Sequence, residues 1–170
     1  TILLNFFFIF SHGIDGFAHS AEVLVGNSIG KKNKSFLDRS IYSTGKLSAY
    51  LMILYIVFFI LFSEQIIYFI TDIEVVNSLS NLYMFYMYLI VVFATIAFWL
   101  DGVFIGAIKV KLLRNVMILA GTIFFILETI LLGGNNDGLW LSFLIFFGLR
   151  SLFLSIFLYR YIKDNKFLEN

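Results

Sequence analysis

Long apolar runs separated by short polar segments dominate the pattern of this chain. A helix that crosses a bilayer needs roughly 20 mostly apolar residues, so the charge-poor windows can be measured against that length. Five windows qualify, at about residues 1–25, 47–70, 82–108, 116–132 and 139–161. The segments between them are polar or glycine-rich, as turns at a membrane surface are. The pattern predicts an all-α, polytopic membrane helical bundle with five transmembrane helices.

The basic residues support this count because they fall on alternate loops. The loops after spans two and four contain no Lys or Arg, but hold Asp72, Glu74 and Asp137. All 12 basic residues except Arg150 follow spans one, three or five. They are Lys31, Lys32, Lys34, Arg39, Lys46, Lys109, Lys111, Arg114, Arg160, Lys163 and Lys166. The positive-inside rule then predicts a multi-pass protein of the cell (inner) membrane with a cytoplasmic C-terminus.

Composition narrows the class of protein further. Of the 170 residues, 61% are hydrophobic and 14% are charged, whereas soluble domains have about 45–50% apolar and about 25% charged residues. The formal net charge of +1 is too small to favour a nucleic-acid partner. With no cysteine, and no metal-ligand spacing of its two histidines, the chain is expected to hold no metal. No catalytic or phosphate-binding motif is present, so we expect no cofactor and no enzyme activity.

The basic segment 31–46 precedes the second span and is amphipathic. It is expected to lie partly along the cytoplasmic surface, with Phe36, Leu37 and Ile41 dipping into the interface. A plain charged loop is the alternative.

The first span carries four ionisable residues on one helical face. His12, Asp15, His19 and Glu22 follow one another at spacings of about three or four residues, which is the repeat of one face of an α-helix. A polar stripe on a spanning helix belongs against a water-filled cavity or another polar helix. The stripe therefore predicts either a cavity for cations or a hydrogen-bonded seam between helices.

Three more ionisable residues lie deep in later spans. Asp101 is too far from the interface for its short side chain to reach water easily, so it could carry a proton or hold Na⁺ or an organic cation. Pairing with Arg150 is the structural alternative. Arg150 needs an acidic or carbonyl partner, which Asp101, Glu128 or a helix outside this chain could supply, so an intramembrane ion pair between Arg150 and Glu128 stays open.

Three stretches resemble a known family. Residues 15–30, DGFAHSAEVLVGNSIG, are similar to the eighth helix of multidrug and toxic compound extrusion (MATE) transporters, particularly the DNA-damage-inducible protein F (DinF) branch. Residues 100–107, LDGVFIGA, with 114–117, RNVM, resemble the tenth helix of that branch and its following loop. Residues 138–152 resemble its twelfth helix.

The resemblance implies that residues 1–170 form most of one six-helix lobe, comprising helices eight to twelve of a MATE-like transporter. The N-terminal lobe and helix seven would be missing, and a start at Thr1 without Met agrees with a truncated chain. Such transporters are secondary antiporters that export drug-like, often cationic, organic solutes in exchange for H⁺ or Na⁺. Asp101 matches the helix-ten acid that some branches use in a cation site.

Two other functions are weighed against this expectation. A lipid-linked oligosaccharide flippase of the wider superfamily would carry several basic residues in its cavity, whereas here only Arg150 lies inside a span. A non-transporting membrane assembly subunit would not need the polar face of the first span.

Overall fold

The chain folds into five long helices joined by short turns. The structure, a computed structural model, describes residues 2–132, 134–164 and 167, without the side chain of Leu131. The helices are α1 (Ile2–Gly30), α2 (Lys34–Ile70), α3 (Glu74–Gly106), α4 (Val110–Ile126), which continues into a π-helical segment (Leu127–Leu131), and α5 (Asn136–Lys163). Each of the five is long and apolar enough to cross a membrane. The predicted all-α bundle with five spans is confirmed, while the expectations that involve Thr1 and Lys166 lie outside the described residues.

Polar side chains define where two of the helices begin. The side chain of Asn33 accepts a hydrogen bond of 2.9 Å from the Phe36 amide at the start of α2. Asn135 accepts one of 2.7 Å from the Gly138 amide at the start of α5. Each replaces a hydrogen bond that the first turn of a helix lacks.

The basic segment before the second span is part of α2. Because α2 is continuous from Lys34, the alternative of a plain loop is wrong for residues 34–46. Leu37 and Ile41 are 3% and 6% exposed and pack inside the protein, so the expectation that they dip into the membrane interface is also wrong. Their apolar side chains are covered by neighbouring helices, which periodicity on one helix could not reveal.

Helix α3 lies at the centre of the bundle. It packs against α1, α2, α4 and α5, and half of its most apolar window is buried inside the protein. Apolar side chains facing away from the bundle stay exposed, as on a surface that lipid covers; Phe69 and Phe125 are examples. The central position of α3 brings Asp101 into contact range of both α1 and α5.

Candidate functional site

The polar stripe of α1 lies on a face that the other described helices leave uncovered. His12, Asp15 and His19 are exposed, and Glu22 is partly exposed. The His19 Nδ1 atom lies 3.3 Å from Glu22 Oε2, and their side chains are 79% and 37% exposed. His12 Nδ1 lies 2.7 Å from the Phe8 carbonyl oxygen of the same helix. Within the described residues, the stripe is therefore an open surface.

Away from the stripe, α1 packs against α2 and α3. Phe6, Phe10 and Ile14 are almost fully buried. Further along, a side chain at Gly102 or Gly106 of α3 would collide with the backbone carbonyls of Ala18 or Glu22 of α1. Glycines at this four-residue spacing allow two membrane helices to approach closely. This contact fixes Asp101, which precedes Gly102, beside α1.

Arg150 of α5 pairs with Asp101 of α3. An Arg150 Nη2 atom donates a hydrogen bond to Asp101 Oδ2, which makes the two residues an ion pair. The side chain of Arg150 is 6% exposed, and that of Asp101 is 21% exposed. Of the three partners that the sequence leaves open for Arg150, the structure selects Asp101.

Aromatic rings surround the Arg150 guanidinium. Its central carbon lies 5.9 Å from the ring centre of Phe98, 5.3 Å from that of Phe146 and 5.5 Å from that of Phe147. An arginine within about 6 Å of an aromatic face is attracted by the ring electrons. We call these three residues the aromatic cage. Sequence reasoning missed the cage, although Phe98 precedes Asp101 by three residues, and Phe146 and Phe147 precede Arg150 by four and three, spacings typical of one helical face.

Asp101 connects the buried pair to the open face of α1. Arg150 holds it from the interior of the bundle, while the neighbouring Gly102 lies against the Ala18 carbonyl of α1, about one helical turn from Asp15. The Asp101–Arg150 pair thus lies beside the helix that carries Asp15, and of these three charged residues only Arg150 is deeply buried. This arrangement can present carboxylates to a cation that approaches from the open side.

Glu128 lies apart from this cluster. It stands in the π-helical segment after α4, where its backbone carbonyl accepts a hydrogen bond of 3.1 Å from the Gly134 amide. No ion pair between Glu128 and Arg150 is present in the described part of the chain. Nor do residues 2–132, 134–164 and 167 contain a group of three His, Asp or Glu side chains that could hold a metal ion.

Comparison with known proteins shows where this arrangement belongs. Residues 1–131 match the MatE family. The chain is a member of that family. It is also 28% identical over 155 residues to the DNA damage-inducible protein F of Escherichia coli (strain K12), an alignment that covers 91% of this chain and 34% of the relative. No solved structure matches the chain.

The family match over residues 1–131 and the similarity to the DNA damage-inducible protein F together confirm the resemblance to MATE transporters of the DinF branch. The chain spans about a third of the length of the curated relative that it matches. The polar stripe of α1 and the Asp101–Arg150 pair are therefore features of a MatE-family chain that aligns with part of a longer protein.

Proposed function

We propose that this chain is part of a secondary active antiporter that exports drug-like, often cationic, organic solutes in exchange for H⁺ or Na⁺. The observation that carries the proposal is the open polar stripe of α1, a helix that packs against α3 beside the Asp101–Arg150 pair. Ionisable groups at that depth cost at least about 2.5–3.5 kcal/mol each on insertion scales and mark ion or solute paths. Members of the MatE family are transporters rather than enzymes.

The charges of this site suit a cation exchanger. Asp15 and Glu22 are negatively charged when ionised and lie on the open face, where a solute cation or a coupling ion could bind them. Protonation or cation binding at Asp15 or Asp101 would remove negative charge from the cavity wall and weaken its hold on a cationic solute. A ligand that prefers one of two conformations shifts the population toward it, so this change would bias the cavity between its inward and outward forms.

Among the described residues, no other helix covers the polar stripe of α1. A polar helix face in a membrane needs a water-filled cavity or a polar partner, and the N-terminal lobe of the same protein would form the other wall of that cavity. The direct partners would then be a small organic solute and the lipid bilayer. The charge pattern of the loops supports an inner-membrane location with a cytoplasmic C-terminus.

The flippase alternative is less well supported by the site. A lipid-linked pyrophosphate needs several unpaired positive charges, whereas the charge of the buried Arg150 is already compensated by Asp101. A non-transporting assembly subunit gives no reason for an exposed row of His, Asp and Glu on α1.

Transport by the complete gene product in proteoliposomes tests the proposal. Ethidium, a fluorescent organic cation, serves as the solute, and a proton or Na⁺ gradient is imposed in separate experiments. We expect ethidium movement that depends on one of these gradients and stops when an ionophore collapses it. Movement that is independent of both gradients would reject antiport, and flux of a lipid-linked oligosaccharide in its place would favour the flippase.

Carboxylate variants test the assigned residues. Asp15→Asn and Asp101→Asn are expected to reduce gradient-driven transport at least tenfold. Asp38→Asn is the matched control because Asp38 is exposed near the start of α2, away from the cluster, and it should leave transport unchanged. Full activity of both Asp15→Asn and Asp101→Asn would rule out these two acids as coupling groups.

A further inference from the structure

The Asp101 carboxylate is already paired with a cationic side chain, that of Arg150. Arg150 binds one of its oxygens, and the guanidinium is held among the three rings of the aromatic cage. Two of these rings belong to α5 and one belongs to α3, so the packing of two helices fixes the position of the charge. Arg150 is only 5% exposed, which means that it cannot move away into water without a rearrangement of the bundle.

The surroundings of the Arg150 charge suit a guanidinium better than an inorganic cation. Hard cations such as Na⁺ need several oxygen ligands around them. The aromatic cage offers carbon rings, which stabilise a delocalised, weakly hydrated guanidinium better than a small ion.

Arg150 does not use all of its hydrogen-bond donors. Among the described residues, its buried Nε atom has no hydrogen-bond partner. A buried donor without a partner destabilises a protein, so hydrogen bonding by all of its N–H groups does not explain why an arginine stands at this position. What distinguishes this position is the positive charge of the guanidinium, which lies beside Asp101 and is packed in the aromatic cage.

We infer that Arg150 is a specificity-determining residue that excludes Na⁺ from Asp101. The inference deepens the proposed function, on which it rests, by assigning the choice between coupling ions to one side chain. A second positive ion at Asp101 would be repelled by the guanidinium, which already binds Asp101 Oδ2. Removal of that charge exposes the carboxylate to Na⁺ from the open face of α1.

Binding of ²²Na⁺ to the purified, detergent-solubilised complete gene product tests this inference. Arg150→Gln should bind Na⁺ at Asp101. Relative to the unmodified protein, this variant should either bind Na⁺ with an affinity at least tenfold higher or bind one additional Na⁺ ion. The double variant Arg150→Gln/Asp101→Asn should lose that gain. Arg150→Lys keeps the positive charge and should bind Na⁺ as the unmodified protein does.

The single variant Asp101→Asn keeps the test decisive even where Arg150→Gln does not fold. With Arg150 in place, Asp101→Asn should change Na⁺ binding less than twofold, and a loss of Na⁺ binding in this variant would overturn the inference. Absence of any gain in a folded Arg150→Gln protein, or a gain that survives Asp101→Asn, would overturn it as well. Because this is a binding measurement, it can succeed where the ethidium transport assay fails, and the two proposals are therefore separable.

Discussion

Gly102 of α3 lies directly against the backbone carbonyl of Ala18 on α1. A Cβ atom at Gly102 would overlap the Ala18 oxygen and lie 3.0 Å from Ala18 Cα. The contact is between two backbones, and no flexible side chain can move aside to relieve an overlap. Gly106 meets the Glu22 carbonyl one turn further on in the same way.

Replacement of Gly102 by Ala is therefore expected to force α1 and α3 apart. Overpacking of this kind costs about 1–3 kcal/mol, and the displacement should also move Asp101 relative to Asp15. The apparent melting temperature of the protein in detergent measures the loss. Gly148→Ala on α5 is the matched control because no atom lies within 4 Å of a Cβ there. An equal response of both variants would show that helix propensity, and not contact, sets the result.

The Asp101–Arg150 pair should show strong coupling in a double-mutant cycle. Arg150→Met leaves a carboxylate without its cation, and loss of one partner of a buried pair costs about 3–5 kcal/mol. Asp101→Asn leaves the guanidinium without its anion. The combination Asp101→Asn/Arg150→Met should cost less than the sum of the single changes by about 1 kcal/mol or more. Reversible unfolding in mixed detergent gives the four free energies of unfolding, and additive values would show that the pair adds no stability.

Gly13 and Tyr55 are expected to be coupled at the contact between α1 and α2. The Tyr55 hydroxyl group would collide with a Cβ at Gly13, and this hydroxyl donates a hydrogen bond of 3.3 Å to the Ile9 carbonyl. Gly13→Ala should therefore push the Tyr55 side chain aside and break this hydrogen bond, at an expected cost of about 1 kcal/mol. Tyr55→Phe removes the nearest atom and should recover part of that loss, as the thermal stability of the double variant would show. Gly16→Ala, at a site on α1 without neighbours within 4 Å, is the control.

Thr44 accepts a hydrogen bond from Trp99 that joins α2 to α3. The Trp99 Nε1 atom lies 3.0 Å from Thr44 Oγ1, and Thr44 is 3% exposed. Thr44→Val keeps the shape of the side chain but leaves the indole N–H without an acceptor, at an expected cost of about 1 kcal/mol. Thr122→Val on α4 is the comparison, because the exposed Thr122 hydroxyl bonds only within its own helix, to the Ile118 carbonyl. A smaller loss for Thr44→Val than for Thr122→Val in thermal unfolding would contradict this role.

The sequence predicts the elements of this protein better than their contacts. Hydropathy and loop charge locate all five helices because a membrane span needs a long apolar run, and that signal is local. The polar face of α1 is visible for the same reason. The partner of Arg150 is not, because Asp101 lies on another helix and its approach depends on the close contact at Gly102. Likewise, burial of Leu37 and Ile41 is decided by neighbouring helices and not by the amphipathic pattern of α2.

Helix α2 is one uninterrupted rod of 37 residues, which corresponds to about 55 Å at 1.5 Å per residue. The hydrocarbon core of a bilayer is only about 30 Å thick. A tilt of this helix by about 10° around its midpoint would move each of its ends by about 5 Å. Such a tilt would displace Lys34 and Arg39, the basic residues in the first turns of the helix, along the lipid headgroups. A tilt of α2 inside the bundle would in this way change the position of these two charges relative to the membrane surface.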